Sequence, residues 1–510
     1  MSAVRSRLLT VIAAVAAAGL LLAAPAVAAH PQPLGAHQRS VLQGIARDTW
    51  RFYAADVDPG THLPLDNLGP GATRGAYTSA ANIGVYLWAV VAARDLGLIS
   101  TSRAQQLAGS TLDEVAKLKR FDGFLYQWYD TGTGQVLENP GQPACTSTAP
   151  AMDNCWFISA VDNGWYASGL VEVRQALPSL RATASRLLGE MNFRIFYDDR
   201  AQTDCNTNAD IAGNQPTGQM YGGYYVDQGP AGYHNGALYS DPRIAMYMGM
   251  GLHQMPGDVW WRTWRTLPPQ RCATDPDFSW QGQWPVPGYW QTYTDPQSGK
   301  RFNVWEGHYT YPGTSLTYVP TWAGGMFEGE MANLVVPETS WGTHSLGLDD
   351  VRWAQVQQRY ATQTLHFPVW GLSPSSTADD SGGYGGYGVE GQALPAGQRL
   401  SQCTTCGTED TVSPHASVIA LPVLPQMAYE NIEALRGRYP DIYSADGGFY
   451  DAVNPGTGAV GHRRLVLDQS MIMAALDDAL HDGAMQRYFA SDPLSWAARL
   501  YLSDETMSIG

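Results

Sequence analysis

The most constraining feature of the sequence is the segment at residues 79–98, SAANIGVYLWAVVAARDLGL, in which Arg94 is the first charged residue. Its apolar residues are not confined to one stripe. A helix that is hydrophobic nearly all round is buried inside a large protein. The segment is therefore predicted to be a central helix that other helices cover.

About eleven segments in all have the apolar spacing of helices, and they cover residues 42–55, 79–98, 101–118, 159–173, 180–193, 241–252, 326–335, 349–364, 414–435, 467–481 and 485–502. No clear run of alternating strands separates them, although residues 124–129 and 447–450 are expected to form small hairpins. The Gly/Ser-rich stretch at 373–391 contains Tyr384 and Tyr387, which favours an ordered active-site loop over a linker.

These patterns predict an all-α fold with one domain at residues 30–510. About twelve helices in antiparallel pairs suggest an (α/α)6 toroid, six helical hairpins with short β-hairpins in the loops. A superhelical solenoid is the alternative, but no fixed-period repeat is visible in the sequence.

The N-terminus has the pattern of a secretory signal peptide. Arg5 and Arg7 precede an apolar run at residues 8–22, and small residues at 26–29 give a cleavage site. Residues 1–29 are therefore predicted to be removed, so that the mature protein begins near His30 and is secreted. An uncleaved anchor is the alternative, but the run is short for a bilayer span and Pro25 interrupts it.

An even number of cysteines in an exported chain argues for disulfides. Proximity in the sequence favours the pairs Cys145–Cys155 and Cys403–Cys406, which leaves Cys205–Cys272. The CxxC at 403–406 is half of a zinc pattern, but no second half follows it. The expectation is three disulfides, no metal and no cofactor.

The composition limits the chemical class of ligand that the protein can be expected to bind. The net charge is −16, and the chain has 17 Trp and 27 Tyr but only three Lys (Lys117, Lys119 and Lys300). No basic stripe exists, which argues against nucleic acid. Aromatic side chains with few cations suit a neutral sugar, although they could instead fill a large core. The expected partner is a polysaccharide, and the mature chain is expected to be a monomer that does not engage a membrane.

Acids beside aromatic residues recur at the predicted helix starts. Asp162, Asp241 and Glu328 are the candidate catalytic residues. Each could instead be a helix cap or a first-turn dipole partner. Their repetition favours a cleft in which one carboxylic acid protonates a glycosidic oxygen and a carboxylate activates water or attacks the anomeric carbon. The candidate substrate-binding residues are Asn82, Trp128, Tyr129, Asp130, Trp165, Trp322, Glu330, Trp370, Tyr450 and Asp451.

Motifs of other chemistries are missing from the sequence. It has no GxSxG elbow, no phosphate-binding GxxxxGK[ST] loop and no HExxH zinc motif. The 11 His are scattered along the sequence. Each of them, including His415, is therefore expected to have a structural role.

Several ordered stretches resemble the glucoamylase-like family, which includes bacterial endo-β-1,2-glucanases and the C-terminal domain of cyclic β-1,2-glucan synthases. They run from about residue 78 to 473 and include TSAANIG at 78–84, AARDLG at 92–97, FLYQWYD at 124–130, AVDNG at 160–164, YSDPR at 239–243, FEGEM at 327–331, VWGLS at 369–373 and GFYD at 448–451. Each stretch is weak alone, and their shared order carries the resemblance.

The resemblance implies an (α/α)6 glycoside hydrolase whose catalytic acids are Asp162 and Asp241. Two departures bear on the substrate: Asp241 stands where Glu is usual, and Trp165 stands where glucanase members can carry a second acid. The expected activity is hydrolysis of a neutral polysaccharide, first β-1,2-glucan, with Asp241 as general acid and Asp162 as base or nucleophile. The alternatives are hydrolysis of a cell-wall arabinan or galactan, a polysaccharide lyase, and a non-catalytic glycan-binding protein.

Overall fold

The computed structural model describes residues 32–70, 74–146, 154–202, 215–216, 218–266, 286, 288–389 and 410–510. The predicted signal segment and Cys205, Cys272, Cys403 and Cys406 lie outside these residues. The predicted pair Cys145–Cys155 is confirmed, with an S–S distance of 2.08 Å.

Fifteen α-helices form within the described residues. They are α1 Ala36–Asp56, α2 Ala80–Asp95, α3 Thr101–Val115, α4 Ala160–Ala176, α5 Arg181–Gly189, α6 Arg243–Gly251, α7 Asp258–Arg262, α8 Met326–Glu330, α9 Glu338–Trp341, α10 Leu346–Arg359, α11 Pro414–Ile419, α12 Pro425–Arg438, α13 Val466–Leu480, α14 Ala484–Ser491 and α15 Trp496–Asp504. The prediction of a mainly helical protein is confirmed.

The predicted central helix is α2. Every residue from Ala80 to Ala93 is buried, because other helices cover it on several sides. It packs on α1, α3, α4 and α13. Ser79 is the N-cap residue of the helix, and its hydroxyl accepts a hydrogen bond from the backbone N–H of Asn82 at 3.1 Å.

Six helices contact one another in a closed cycle. Helix α2 packs on α4 and α13, α4 packs on α6, and α11 packs on α8 and α13. The cycle closes between α6 and α8, where the Arg243 guanidinium donates to the carbonyl oxygens of Glu328 and Gly329. Each of these six packs against a further helix: α1 lies on α13, α3 on α2, α5 on α4, α10 on α8, α12 on α11 and α15 on α6.

The strands are short and lie in the loops between helices. They are β1 Asn67–Leu68, β2 Arg74–Gly75, β3 Tyr77–Thr78, β4 Arg120–Phe121, β5 Phe124–Leu125, β6 Trp128–Asp130, β7 Val136–Leu137, β8 Phe157–Ser159, β9 Ala201–Gln202, β10 Gln215–Pro216, β11 Gly223–Tyr225, β12 Gly229–Pro230, β13 Gly288–Thr294, β14 Arg301–Gly307, β15 Tyr309–Thr310, β16 Thr317–Tyr318, β17 Ser375–Ser376, β18 Tyr384–Gly385, β19 Tyr443–Ser444, β20 Gly448–Phe449, β21 Ala452–Val453, β22 Val460–Gly461 and β23 Arg464–Leu465.

Every pairing between these strands is antiparallel, and the sheets have two or three strands each. Small hairpins are present near the two predicted positions, but each begins about four residues earlier than predicted: β4–β5 spans residues 120–125, and β19–β20 spans residues 443–449. The pairing of β1 with β23 joins the chain before α2 to the chain before α13, with Asn67 opposite Leu465.

Several predicted boundaries were wrong, and proline explains two of them. The predicted helix at 414–435 is two helices: α11 ends at Ile419, where Pro422 has no N–H to donate to the last turn, and α12 begins at Pro425. The predicted helix at 485–502 is likewise split at Pro493 into α14 and α15. The hairpin β13–β14, whose two strands have seven residues each, was not predicted.

Among the residues that the structure describes, no helix combines the length and the apolarity that crossing a bilayer requires.

Helices α2 and α4 approach so closely that two glycines lie at their contact. A Cβ added to Gly84 would lie 2.3 Å from the carbonyl oxygen of Trp165, and one added to Gly169 would lie 2.4 Å from the carbonyl oxygen of Gly84. These neighbours are backbone atoms that move only with the whole helix. Glycine is therefore required here by packing.

Gly84→Ala is expected to lower the free energy of unfolding by about 1–3 kcal/mol or more, because overpacking forces α2 and α4 apart. Gly44→Ala in α1 is the matched control, since its added Cβ would come no nearer than 3.8 Å to Arg47 Nη2. That substitution is expected to stabilise the protein by about 0.5–1 kcal/mol, because a mid-helix glycine is replaced without a clash. Urea denaturation of both variants checks this, and equal stabilities would contradict the packing argument.

Candidate active site

A cavity of about 340 Å³ opens where the starts of α4, α6 and α8 meet. Asp241 and Glu328 line it, together with Val161, Tyr233, Asn235, Trp322 and Phe327. Asp162 follows Val161 in the first turn of α4. The three candidate catalytic acids therefore belong to one region, although they are 79 and 87 residues apart in the chain.

Asp162 is not the cap of its helix. Ser159 has that role, since its hydroxyl accepts a hydrogen bond from the backbone N–H of Asp162 at 3.2 Å. Burial raises the pKa of the Asp162 carboxyl, and the hydrogen bond with Ser159 opposes that shift. The carboxyl is therefore available for another purpose than capping.

Asp241 does not cap a helix either. Helix α6 begins at Arg243, and Pro242 occupies its N-cap position. The Asp241 carboxylate accepts a hydrogen bond from the Ser240 hydroxyl at 3.3 Å. Burial raises the pKa of Asp241 to about 6, the Arg243 charge opposes the shift, and the charge of Asp162 adds to it.

Glu328 has a higher pKa than Asp241. Burial and, after it, the charge of Asp241 raise it to about 8, against hydrogen bonds from the loop that precedes α8. One of these comes from the backbone N–H of Ala323 to Oε2 at 2.8 Å. At pH 7 the Glu328 carboxyl therefore carries a proton while most of Asp241 is ionised, so the cavity holds both a proton donor and a charged carboxylate.

The predicted aromatic residues divide into two groups. Trp322 lines the cavity, and Trp128 and Tyr450 are partly exposed. Tyr129, Trp165 and Trp370 lie in the core at 0%, 2% and 3% exposure. These three cannot contact a sugar in this structure, because other side chains already cover their rings.

The structure places the predicted polar residues in different environments. Asp130 is a turn residue that accepts hydrogen bonds from the N–H and hydroxyl of Thr133, both at 2.8 Å. Glu330 is fully buried near Asp350 and Arg243 and does not line the cavity. Direct contact of either with substrate has no support in this geometry.

Asn82 and Asp451 belong to a second group of polar side chains at helix starts. Asn82, in the first turn of α2, donates to Asp66 at 2.9 Å. Asp468 lies in the first turn of α13. Burial and, to a smaller extent, the charge of Asp66 raise its pKa to about 7. Burial and, after it, the charge of Asp468 raise the pKa of Asp451, so this group continues around the helix cycle from α2 to α13.

Sequence reasoning missed Tyr233, Asn235 and Asp66. The first two lie in a loop without helical or strand periodicity, and Asp66 precedes a two-residue strand. The predicted ordered loop after residue 373 is present as far as residue 389. The charges of Asp468, Asp451 and Glu328 all raise the pKa of its Tyr384. Tyr384 is therefore near both the cavity acids and the group of polar side chains at α2 and α13.

Comparison with known proteins bears on this arrangement. Residues 294–493 match the family model described as putative glucoamylase, and residues 44–230 match one described as a protein of unknown function, DUF3131. The predicted resemblance to the glucoamylase-like family is confirmed. A curated relative, the cyclic β-(1,2)-glucan synthase of Rhizobium meliloti, is 32% identical over 135 residues, which are 26% of this chain and 4% of that protein.

Solved structures with this fold cover nearly the whole chain. A putative glucoamylase from Bacteroides uniformis has a TM-score of 0.65 at 13% identity, over 94% of this chain and 99% of that chain. An endo-β-1,2-glucanase from Chitinophaga pinensis, in complex with sophorotriose and glucose, has a TM-score of 0.64 at 14% identity, over 92% and 98%. An endo-β-1,2-glucanase from Talaromyces funiculosus has a TM-score of 0.60 at 11% identity, over 92% and 91%. At these identities the likeness establishes the fold of the chain.

The raised pKa of Glu328 has a consequence for stability. A buried carboxyl whose pKa is higher in the folded protein stabilises it below the unfolded pKa, here 4.5, and that contribution is lost as the pH rises through about 8. Glu328→Gln cannot titrate. Its melting temperature relative to the wild type is therefore expected to rise by several degrees between pH 5 and pH 9.

Thermal melts at the two pH values check this. The matched control is Glu433→Gln on α12, where the wild-type side chain is 42% exposed. An equal pH effect in both variants would contradict the environment described for Glu328.

Proposed function

We propose that this protein is a glycoside hydrolase that acts on a neutral polysaccharide, with β-1,2-glucan as the first substrate to test. The observation that carries the proposal is the cavity in which Asp241 and Glu328 have pKa values of about 6 and about 8 beside the Trp322 ring. Separated pKa values among neighbouring carboxyls are what acid–base cleavage of a glycosidic bond needs. The similarity in fold to the endo-β-1,2-glucanases of Chitinophaga pinensis and Talaromyces funiculosus supports the choice of glucan.

The proposed architecture is an (α/α)6 toroid. The cycle of α2, α4, α6, α8, α11 and α13 would be its inner ring, and α1, α3, α5, α10, α12 and α15 would be the outer partners. In such a toroid the inner helices start at one face. The electrostatic contacts among Asp162, Asp241, Glu328 and Tyr384 support this arrangement, since each of the three acids belongs to an inner-helix start.

In the proposed reaction, the Asp241 carboxylic acid donates its proton to the glycosidic oxygen as the bond to the anomeric carbon breaks. The Asp162 carboxylate removes a proton from the attacking water or bonds to the anomeric carbon itself. With a pKa of about 6, Asp241 is suited to this role at a working pH near 6, because a general acid works best when its pKa is close to the operating pH. At pH 7, where most of Asp241 is ionised, Glu328 with its pKa of about 8 is the second candidate donor.

Asp162→Asn and Asp241→Asn are each expected to lower turnover by about 10²–10⁴-fold, the usual contribution of one acid–base group. The substitution keeps the side-chain shape, so the melting temperature should change little. The mature protein is first incubated with a panel of glycans, and new reducing ends are measured. Asp113→Asn on the exposed face of α3 is the matched control and is expected to keep full turnover.

Other outcomes of the panel have definite meanings. Wild-type turnover in Asp241→Asn would remove Asp241 from the mechanism and make Glu328 the donor to test next. A product that absorbs as an unsaturated uronide would identify a lyase. Binding without cleavage of any glycan would identify a glycan-binding protein, and cleavage of arabinan or galactan alone would replace β-1,2-glucan as the substrate.

The protein is proposed to be exported with cleavage near His30, because charged, apolar and small-residue segments follow one another at residues 5–29. N-terminal sequencing of the secreted chain is expected to start within about a residue of His30. A secreted chain that still begins at Met1 would contradict this.

A further inference from the structure

A second cluster of titratable side chains lies outside the cavity. His415, Asp451 and Asp468 are buried at 1%, 2% and 1% exposure. Each offers one nitrogen or oxygen atom, and these three atoms lie within 4.8 Å of one another. The ring nitrogen Nδ1 of His415 is 3.2 Å from Oδ2 of Asp468.

Three separate elements bring these residues together. His415 is the second residue of α11, and Asp468 is the third residue of α13. Asp451 lies between β20 and β21. One Asp451 oxygen, Oδ2, accepts a hydrogen bond from the backbone N–H of Ser376 at 2.6 Å, which leaves Oδ1 for another partner.

Four buried atoms of the cluster have no hydrogen-bond partner: both ring nitrogens of His415, Oδ1 of Asp451 and Oδ2 of Asp468. An unpaired polar atom in the interior is costly, because it has lost its water without a replacement. Buried groups of this kind therefore require a bound water, an ion or a shared proton. Here they converge on a single point instead of being scattered.

The charge of Asp66 is felt by Asp468, and the positive charge of Arg463 is felt by Asp66. Among the described residues, Asp468 has an ion-pair-range contact with His415. A ring nitrogen of His415 that makes no hydrogen bond can offer its lone pair to a cation.

We propose that His415, Asp451 and Asp468 bind a divalent transition-metal cation, Zn²⁺ or Mn²⁺. Two carboxylates balance the charge of the cation, and a neutral imidazole supplies the third ligand. Imidazole suits Zn²⁺, and carboxylate oxygens suit Mn²⁺, whereas Ca²⁺ and Mg²⁺ prefer sites made wholly of oxygen. Three protein ligands leave further positions of the cation for water.

The cation would join parts of the fold that are distant in sequence. It links the starts of α11 and α13, and through Asp451 and Ser376 it holds the loop that carries Tyr384. The ring of Phe327, which lines the cavity, lies 6.4 Å from the ring of His415. The site therefore supports one wall of the cavity, yet the proposal does not depend on which glycan is cleaved there.

The test measures metal and stability without measuring activity. The mature, tag-free chain is stripped with a chelator, dialysed against Zn²⁺, Mn²⁺ or Ca²⁺ separately, and analysed by inductively coupled plasma mass spectrometry. About one molar equivalent of Zn²⁺ or Mn²⁺ is expected, with a melting temperature that rises with metal concentration because the ion binds the folded state. Ca²⁺ is expected to give neither effect.

The double variant His415→Gln/Asp468→Asn is expected to lose both the bound metal and the metal-dependent rise in melting temperature. His481→Gln is the matched control. It removes another His–Asp pair, in which Nδ1 of His481 lies 2.7 Å from Oδ1 of Asp477, but the described residues add no third ligand to that pair. It should retain the metal.

Wild-type protein that binds neither Zn²⁺ nor Mn²⁺ and shows no change in melting temperature would overturn the proposal. Asp451 and Asp468 would then share a proton. Retention of stoichiometric metal by the double variant would also overturn it, because the ion would then lie elsewhere. The wild-type measurement decides the question even if the double variant does not fold.

Discussion

The arrangement of the candidate active site depends on the buried guanidinium of Arg243. It donates from Nε and Nη2 to the Glu338 carboxylate at 2.8 and 2.7 Å. It also donates to the carbonyl oxygens of Ser240, Glu328 and Gly329. One side chain thus joins the turn that carries Asp241 to the helix that carries Glu328, and it closes the helix cycle between α6 and α8.

An arginine can do this because its planar fork offers five donors in a fixed geometry. A buried ion pair gains little net stability, since both ions lose their water, but breaking it by removing one partner is costly. Tyr247 also donates to Glu338 at 2.6 Å. The network therefore fixes the positions of the two carboxyls that line the cavity more than it stabilises the fold.

The same constraint explains why so many acids are tolerated at the helix starts. Burial raises the pKa values of Asp162, Asp241 and Glu328, and protonation removes much of the cost of placing them together. On the other side of the cycle, His415, Asp451 and Asp468 meet the same cost, and among the described residues no arginine guanidinium forms an ion pair with either aspartate. The two groups differ in how their charge is balanced, by an internal cation near α6 and by a proposed bound cation near α13.

The sequence by itself determined the helical character of the chain, the burial of α2, the Cys145–Cys155 pair and the family resemblance. It could do so because apolar periodicity, close cysteine spacing and ordered motifs are local properties. It also identified Asp162, Asp241 and Glu328 as acids at helix starts. The tertiary structure alone decided that Asp241 and Glu328 line one cavity, that Trp165 and Glu330 are buried, and that His415 meets Asp451 and Asp468. Those facts depend on contacts between residues far apart in the chain, which no local pattern specifies.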